Sequence, residues 1–174
     1  MPYAVELALD PAADARVRAA WAALDAAGVP SLGSVPGAAY DPHVSLAVLD
    51  GEPDPDAVAA ALRRVLRDAA GTPLPLEHLG FFLTAESVAF LGVRPTTALL
   101  ALHERTVAAV APLAEVWPYY RPGAPMPHCT LAMGVRDHAA VVAVLARAAL
   151  PVPAVAAGAH LVDVATGRRV AGLA

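Results

Sequence analysis

Two short stretches of the sequence combine residues that can transfer protons with residues that can donate hydrogen bonds. PHVSLA spans residues 42–47 and PHCTLA spans residues 127–132, so each copy has a histidine followed two positions later by a hydroxyl. An imidazole titrates near neutral pH and can serve as a general acid or a general base. His43 and His128 could therefore supply one proton acceptor and one proton donor to the same reaction, although the sequence does not say which is which.

The alternation of residue types predicts that each copy is a β-strand buried on one side. Successive side chains of a strand point to opposite faces, so the histidine and the hydroxyl share a face. Burial explains the apolar residues between them and leaves the two polar residues to be explained by another role. The residues expected on this face are His43, Ser45 and Ala47 in the first copy and His128, Thr130 and Ala132 in the second.

The elements around the two copies repeat as well. Each copy follows an apolar strand, a helix that begins at a proline, and a loop, and the copies are about half of the 174-residue chain apart. We therefore predict one domain over residues 1–174 with two internal repeats. The fold class is α+β, with antiparallel sheets flanked by helices, two lobes related by an approximate two-fold axis, and a central cleft lined by both histidine strands.

The element boundaries follow from periodicity, prolines and glycines. Strands are predicted over residues 3–9, 74–83, 87–94, 155–165 and 168–173, in addition to the two histidine strands, and helices over residues 12–27, 55–70, 95–113 and 137–149. The strands over 74–83 and 87–94 are close enough to form a hairpin.

The composition of the chain limits the kinds of ligand that the protein can bind. The net charge is −4 and all 12 basic residues are arginine, which argues against a long nucleic-acid track but allows a small phosphorylated ligand. Cys129 is the only cysteine, so no intramolecular disulfide can form. It lies on the core-facing side of the second histidine strand, which predicts a buried, inert thiol. No signal peptide or membrane span is evident, and we expect a cytoplasmic monomer that needs no cofactor.

The paired His-x-[Ser/Thr]-hydrophobic motifs resemble those of the 2H phosphoesterase superfamily. The second motif with its lead-in, YYRPGAPMPHCTLA, looks most like the bacterial 2′-5′ RNA ligase and cyclic phosphodiesterase branch. The resemblance implies metal-independent hydrolysis of 2′,3′-cyclic phosphate or 2′-5′ phosphodiester bonds in small nucleotides or RNA ends. It also implies that His43 and His128 form the acid and base pair, and that Ser45 and Thr130 bind phosphate oxygens.

The loop over residues 114–127 supplies further candidates for substrate binding. Arg121 has the planar guanidinium that suits a phosphate, although a solvated loop arginine is an equal alternative. Tyr119 and Tyr120, together with Trp117, could stack on a base or could pack the loop onto its lobe. The histidines outside the repeated motifs are interpreted as surface or capping residues: His78, His103, His138 and His160.

Three other interpretations of the histidine motifs remain open. The rings could be structural groups that are hydrogen-bonded at strand ends. They could bind a metal ion, but neither motif has a second nearby histidine, cysteine or carboxylate on the same strand face. The cleft could also hold a phosphorylated ligand without catalysis, although a module that only binds has no need of two proton-transfer groups.

Overall fold

The computed structural model describes residues 2–147 and 150–174. The strands are β1 (Tyr3–Leu9), β2 (His43–Leu49), β3 (Leu76–Phe82), β4 (Val88–Val93), β5 (His128–Ala132), β6 (Ala156–Asp163) and β7 (Arg169–Gly172). The α-helices are α1 (Pro11–Ala26), α2 (Pro55–Leu66), α3 (Thr97–Val110) and α4 (His138–Leu145).

Side-chain caps determine where the helices begin. The carboxylate of Asp10 accepts hydrogen bonds from the first turn of α1, at 3.1 and 3.2 Å, and Asp54, Thr96 and Asp137 cap the other three helices. Such caps satisfy backbone N–H groups that have no partner within the helix. All four helix starts therefore lie within two residues of the predicted positions.

The helix ends differ more from the predictions. Helices α2 and α3 end three or four residues early, because tight turns follow Leu66 and Val110, where the amides of Ala69 and Leu113 bond back to them. The predicted end of the last helix, at residue 149, lies outside the described residues. Among the described residues, no helix has both the length and the apolar composition that a bilayer crossing requires.

Two antiparallel sheets form the core, which confirms the α+β fold class. One sheet has the strand order β2-β1-β6-β7, and the other has the order β3-β4-β5, with the predicted hairpin between β3 and β4. The two histidine strands, β2 and β5, are edge strands of different sheets and contact each other. The lobes therefore meet along the two strands that carry the repeated motifs.

The helices exchange between the lobes. Helix α1 precedes β2 in the chain but packs on β5 and α4, whereas α3 precedes β5 and packs on β2 and α2. Trp21 of α1 also donates a hydrogen bond from Nε1 to the carbonyl oxygen of Thr130, at 3.2 Å. This reciprocal packing is the arrangement expected of a duplicated unit, and it fixes the position of each histidine strand relative to the other lobe.

Each histidine strand has a β-bulge at the same point of the repeat. Leu46 and Leu131, which directly follow the two hydroxyl residues, have no partner on the neighbouring strand. A bulge reverses the side-chain alternation beyond it. The prediction that Ala47 and Ala132 share the histidine face is therefore wrong, since both are buried on the opposite side. The pairs that flank the bulges are Ser45–Glu6 and Ala47–Val5 in one sheet, and Thr130–Phe90 and Ala132–Ala89 in the other.

Candidate active site

Both motif histidines begin their strands and are tethered in the same way. Nδ1 of His43 donates to the carbonyl oxygen of Asp41, and Nδ1 of His128 donates to the carbonyl oxygen of Met126, each at 2.7 Å. Because a carbonyl oxygen can only accept, both rings carry a hydrogen on Nδ1. Nε2 is therefore the atom of each ring that remains for proton transfer.

The two rings lie close enough for their charges to interact across the junction of β2 and β5. The positive charge of His43 contributes to lowering the pKa of His128. Cys129 lies beneath this junction, where burial raises the pKa of its thiol to about 12. The predicted burial of the thiol is confirmed.

His128 lies in aromatic surroundings. Its ring meets that of Phe82 edge to face, with centroids 4.9 Å apart, and that of Phe90 at 5.1 Å. Burial lowers the pKa of His128; the bond to the Met126 carbonyl opposes this change. The ring is therefore neutral near neutral pH, with an unprotonated Nε2 that can accept a proton.

A glycine makes room for one of these aromatic rings. Gly80 is directly opposite Phe90 in the β3–β4 ladder, and the Phe90 ring covers the space that a side chain would occupy. A Cβ at this position would lie only 2.5 Å from Cε2 of Phe90. The ring is 4% exposed and also packs on Phe82, at a centroid distance of 4.3 Å. The aromatic support of His128 thus depends on the absence of a side chain at Gly80.

His43 lies in charged surroundings instead. Oε1 of Glu6, on the neighbouring strand β1, lies 3.4 Å from Nε2 of His43. Glu6 is 8% exposed, and burial raises its pKa, with the charges of His43 and Arg169 acting in the opposite direction. Glu6 was not among the site residues predicted from the sequence, although a lone carboxylate in an apolar strand is the signal that could have found it.

Two arginines hold the segment that precedes His43. Asp41 accepts from Arg18 at 2.6 Å and from Arg169 at 2.8 Å, so three distant parts of the chain meet at this point. Burial opposes the change, but these two hydrogen bonds lower the pKa of Asp41. Since the groups are partly exposed, their main contribution is to position the Asp41 carbonyl that orients His43.

His160, which the sequence predicted to be a surface or capping residue, lines a pocket beside His43. His160 of β6 lies opposite Glu6 in the sheet, and together with Asp41 and Arg169 these residues line the pocket. Burial lowers the pKa of His160, and the charge of Arg169 lowers it further. His160 is half-buried, and the sheet brings it beside the first motif, a position that the predicted surface or capping role did not include.

Ser45 lines a second pocket together with Tyr120. Burial raises the pKa of Tyr120, and its interaction with the Ser45 side chain opposes this change. The backbone oxygen of Tyr120 bonds to Nε2 of His103 at 2.8 Å. His103 is buried, so the prediction that it is a surface or capping residue is wrong. Tyr120 packs its loop onto the lobe, and Thr130 is half-buried at the matching position of β5.

The remaining loop candidates are less closely associated with the histidines. Arg121 is exposed and pairs with Glu115 at 2.8 Å, while Tyr119 is 74% exposed. Neither side chain lines the pocket beside His43 or the one beside Ser45.

The other two histidines lie outside the motifs, but the ring of His78 covers Gly92, the residue of β4 that lies opposite His128. His78 is exposed, as predicted, and His138 begins α4 with its Nε2 at 2.9 Å from the hydroxyl of Ser87. Within residues 2–147 and 150–174, no group of three or more His, Cys, Asp or Glu side chains is arranged to hold a metal ion.

The fold and the site together define a class of α+β protein in which two lobes exchange helices and two histidine strands meet at their junction. The model of the 2′-5′ RNA ligase superfamily matches residues 9–168, so the chain belongs to this superfamily, whose members are 2H phosphoesterases. The expectation from the paired motifs is thus confirmed at the level of the family.

Solved structures are similar to this chain as well. The crystal structure of a phosphoesterase has the same fold, with 21% identity and a TM-score of 0.60, over 95% of this chain and 90% of that one. Two structures of Kluyveromyces marxianus Usb1, one of them with uridine monophosphate, are 15% and 13% identical, with TM-scores of 0.46 and 0.41. Each match covers 84% of this chain and 82% of the other. Among curated proteins, none matches the sequence significantly.

Proposed function

We propose that this protein is a metal-independent phosphoesterase that hydrolyses 2′,3′-cyclic phosphate or 2′-5′ phosphodiester bonds of nucleotides or RNA ends. One observation carries the proposal: two histidines have identical Nδ1 tethers, and their surroundings are opposite in kind. His128 is held neutral among aromatic rings, and His43 faces a carboxylate. A general base and a general acid require this difference.

The reaction on a cyclic phosphate follows from these states. His128 accepts a proton at Nε2 from water as the water oxygen bonds to phosphorus. The bond from phosphorus to one ribose oxygen breaks, and that oxygen receives a proton from Nε2 of His43. One water is thereby added across one P–O bond. The proton gained by His128 and the proton lost by His43 are then exchanged with solvent, which restores both rings.

The hydroxyls of Ser45 and Thr130 supply the remaining stabilisation. Each lies two residues after a histidine, before the bulge that reverses the strand face. Hydrogen bonds to the non-bridging oxygens act where negative charge develops in the transition state. Arg121, Tyr119 and Tyr120 remain proposed contacts for the rest of the substrate, and Arg121 would have to exchange Glu115 for phosphate.

The overall charge favours small substrates. A net charge of −4 gives long RNA little general attraction, so we expect nucleotides or RNA termini to be preferred. We expect the active form to be a monomer, and a single cysteine, which cannot form a disulfide within the chain, favours a cytoplasmic location.

The test is hydrolysis of nucleoside 2′,3′-cyclic phosphates and 2′-5′ dinucleotides in excess EDTA. The wild type is compared with His43→Ala, His128→Ala and the control Arg64→Ala, whose side chain is exposed on α2 and lies outside both motifs. We expect turnover to survive chelation. Each motif variant should lose about 10²- to 10⁴-fold in rate, the usual contribution of a general acid or base. The control should be unchanged.

Two outcomes would overturn the proposal. Near-normal rates in both motif variants would show that the histidines do not transfer protons. Tight binding of a nucleotide by calorimetry, with no turnover of any substrate by the folded wild type, would favour the alternative of a module that only binds a phosphorylated ligand.

A further inference from the structure

A buried carboxylate outside the two motifs breaks the symmetry of the repeat. Glu6 lies opposite Ser45 in the ladder of β1 and β2, just as Phe90 lies opposite Thr130 in the ladder of β4 and β5. The two positions are equivalent in the duplication because each faces the hydroxyl of a motif and precedes the same bulge. One lobe therefore has a carboxylate where the other has a phenyl ring.

The contact between Glu6 and His43 requires a proton. Nδ1 of His43 donates to the Asp41 carbonyl, so the neutral ring has only a lone pair at Nε2. An ionised carboxylate is also only an acceptor, and two acceptors at 3.4 Å repel each other. The contact is favourable when one further proton is present, either on Nε2 or on the carboxyl oxygen.

We propose that Glu6 is a positioning residue that retains this proton on the Glu6–His43 pair at neutral pH, so that His43 enters the reaction as the acid. The catalytic part of this inference rests on the proposed function, whereas the retention of the proton is a property of the free protein. His128 has no equivalent carboxylate opposite its motif hydroxyl, because Phe90 occupies that position.

The other charged groups around Glu6 are consistent with retention of one proton. Burial raises the pKa of Glu6, and the negative charge of Asp41 acts in the same direction. Arg169 acts against both, but it also forms an ion pair with Asp41, as Arg18 does. The titratable and charged groups that face Glu6 from the surrounding elements are Tyr40, Asp41, His43, Tyr120, Cys129, His160 and Arg169.

The direct test is an NMR titration of the histidine rings in protein labelled with ¹⁵N-histidine, without substrate. Glu6→Gln removes the charge and keeps the shape of the side chain, and Glu104→Gln on the exposed face of α3 is the matched control. An opposite charge at this distance moves a titration by about 1 to 3 pH units. In E6Q we expect the proton that the Glu6–His43 pair shares to be lost at a lower pH than in the wild type, as read from the ¹⁵N shift of Nε2 of the His43 ring, with a smaller change at His128.

The kinetic test distinguishes positioning from a merely structural role. In E6Q the alkaline limb of the kcat/KM profile should move to lower pH, because the acid is deprotonated earlier, while the acidic limb stays in place. Glu6→Asp retains the carboxylate, so its alkaline limb should lie between those of E6Q and the wild type. This second variant keeps the proposal testable if E6Q folds poorly.

Two results would refute the role of Glu6. One is an unchanged His43 titration in folded E6Q, and the other is a uniform loss of activity with neither limb moved. If the wild type hydrolyses none of the substrates, the proposed function fails, but the titration still decides whether Glu6 retains the proton.

Discussion

Replacing Gly80 by alanine tests whether the aromatic rings hold His128 in its working position. The new Cβ would lie 2.5 Å from Cε2 and 3.2 Å from Cε1 of Phe90, whereas ordinary contacts begin at 3.4 Å. The ring must therefore move by about 1 Å. Phe90 is 4% exposed and packs on both Phe82 and His128, so the displacement passes to these neighbours.

The size of the effect follows from this displacement. Forcing an extra methyl group into a packed site costs about 1–3 kcal/mol of unfolding free energy. A misplacement of about 1 Å in a catalytic group can cost about 10²-fold in rate. We therefore expect G80A to lose stability in this range and to lose up to about 100-fold in kcat/KM.

Gly172→Ala is the matched control for this substitution. Gly172 also lies in a β-strand, but no atom lies within 4 Å of the position of a Cβ. Urea unfolding and hydrolysis of a cyclic nucleotide would be measured for both variants and the wild type. We expect G172A to resemble the wild type in both assays. Equal unfolding free energies and equal kcat/KM for the two variants would refute the argument that Gly80 supports His128 through Phe90.

Two further predictions concern pH. Phe82→Ala should expose His128 to water and return its lowered pKa toward the ordinary value, since burial is the main cause of the lowering. Because the base works only when neutral, the acidic limb of kcat/KM should move to higher pH, and an unmoved limb would contradict this cause. Glu6 has a raised pKa in the folded state, so its contribution to stability is present below its ordinary pKa and is lost as the pH rises through the folded value. Urea unfolding should therefore show E6Q gaining stability relative to the wild type as the pH rises above the ordinary titration range of a carboxyl group, whereas Glu104→Gln should show no such trend.

Much of the framework could be predicted from the sequence because the relevant signals are local. Alternating residue types identified both histidine strands and the β3–β4 hairpin, and Asp10 before Pro11 marked the start of the first helix. The repetition of the motif then indicated two lobes. The bulges could not be predicted, because an extra residue in a strand leaves no local signal, and this is why the faces of Ala47 and Ala132 were predicted incorrectly.

The residues that make the two histidines different could not be found in the same way. Glu6 and His160 are neighbours across β1 and β6, and His43 is adjacent on β2, yet the three residues are far apart in the chain. Only the register of the sheet brings them together. Within each strand, Glu6 and His160 are single polar residues in an apolar run, and this is a weak signal unless the neighbouring strand is known.

Two copies of the same motif do not by themselves distinguish an acid from a base. Two interacting histidines with the same tether and the same surroundings would share one proton equally at intermediate pH, so that neither ring would be fixed as the acid or as the base. The strand beside each motif removes this symmetry, since β1 places Glu6 beside His43 and β4 places Phe90 beside His128. The repeat thus fixes the tautomer of both rings, and we propose that one cross-strand position in each lobe determines which ring acts as the acid and which acts as the base.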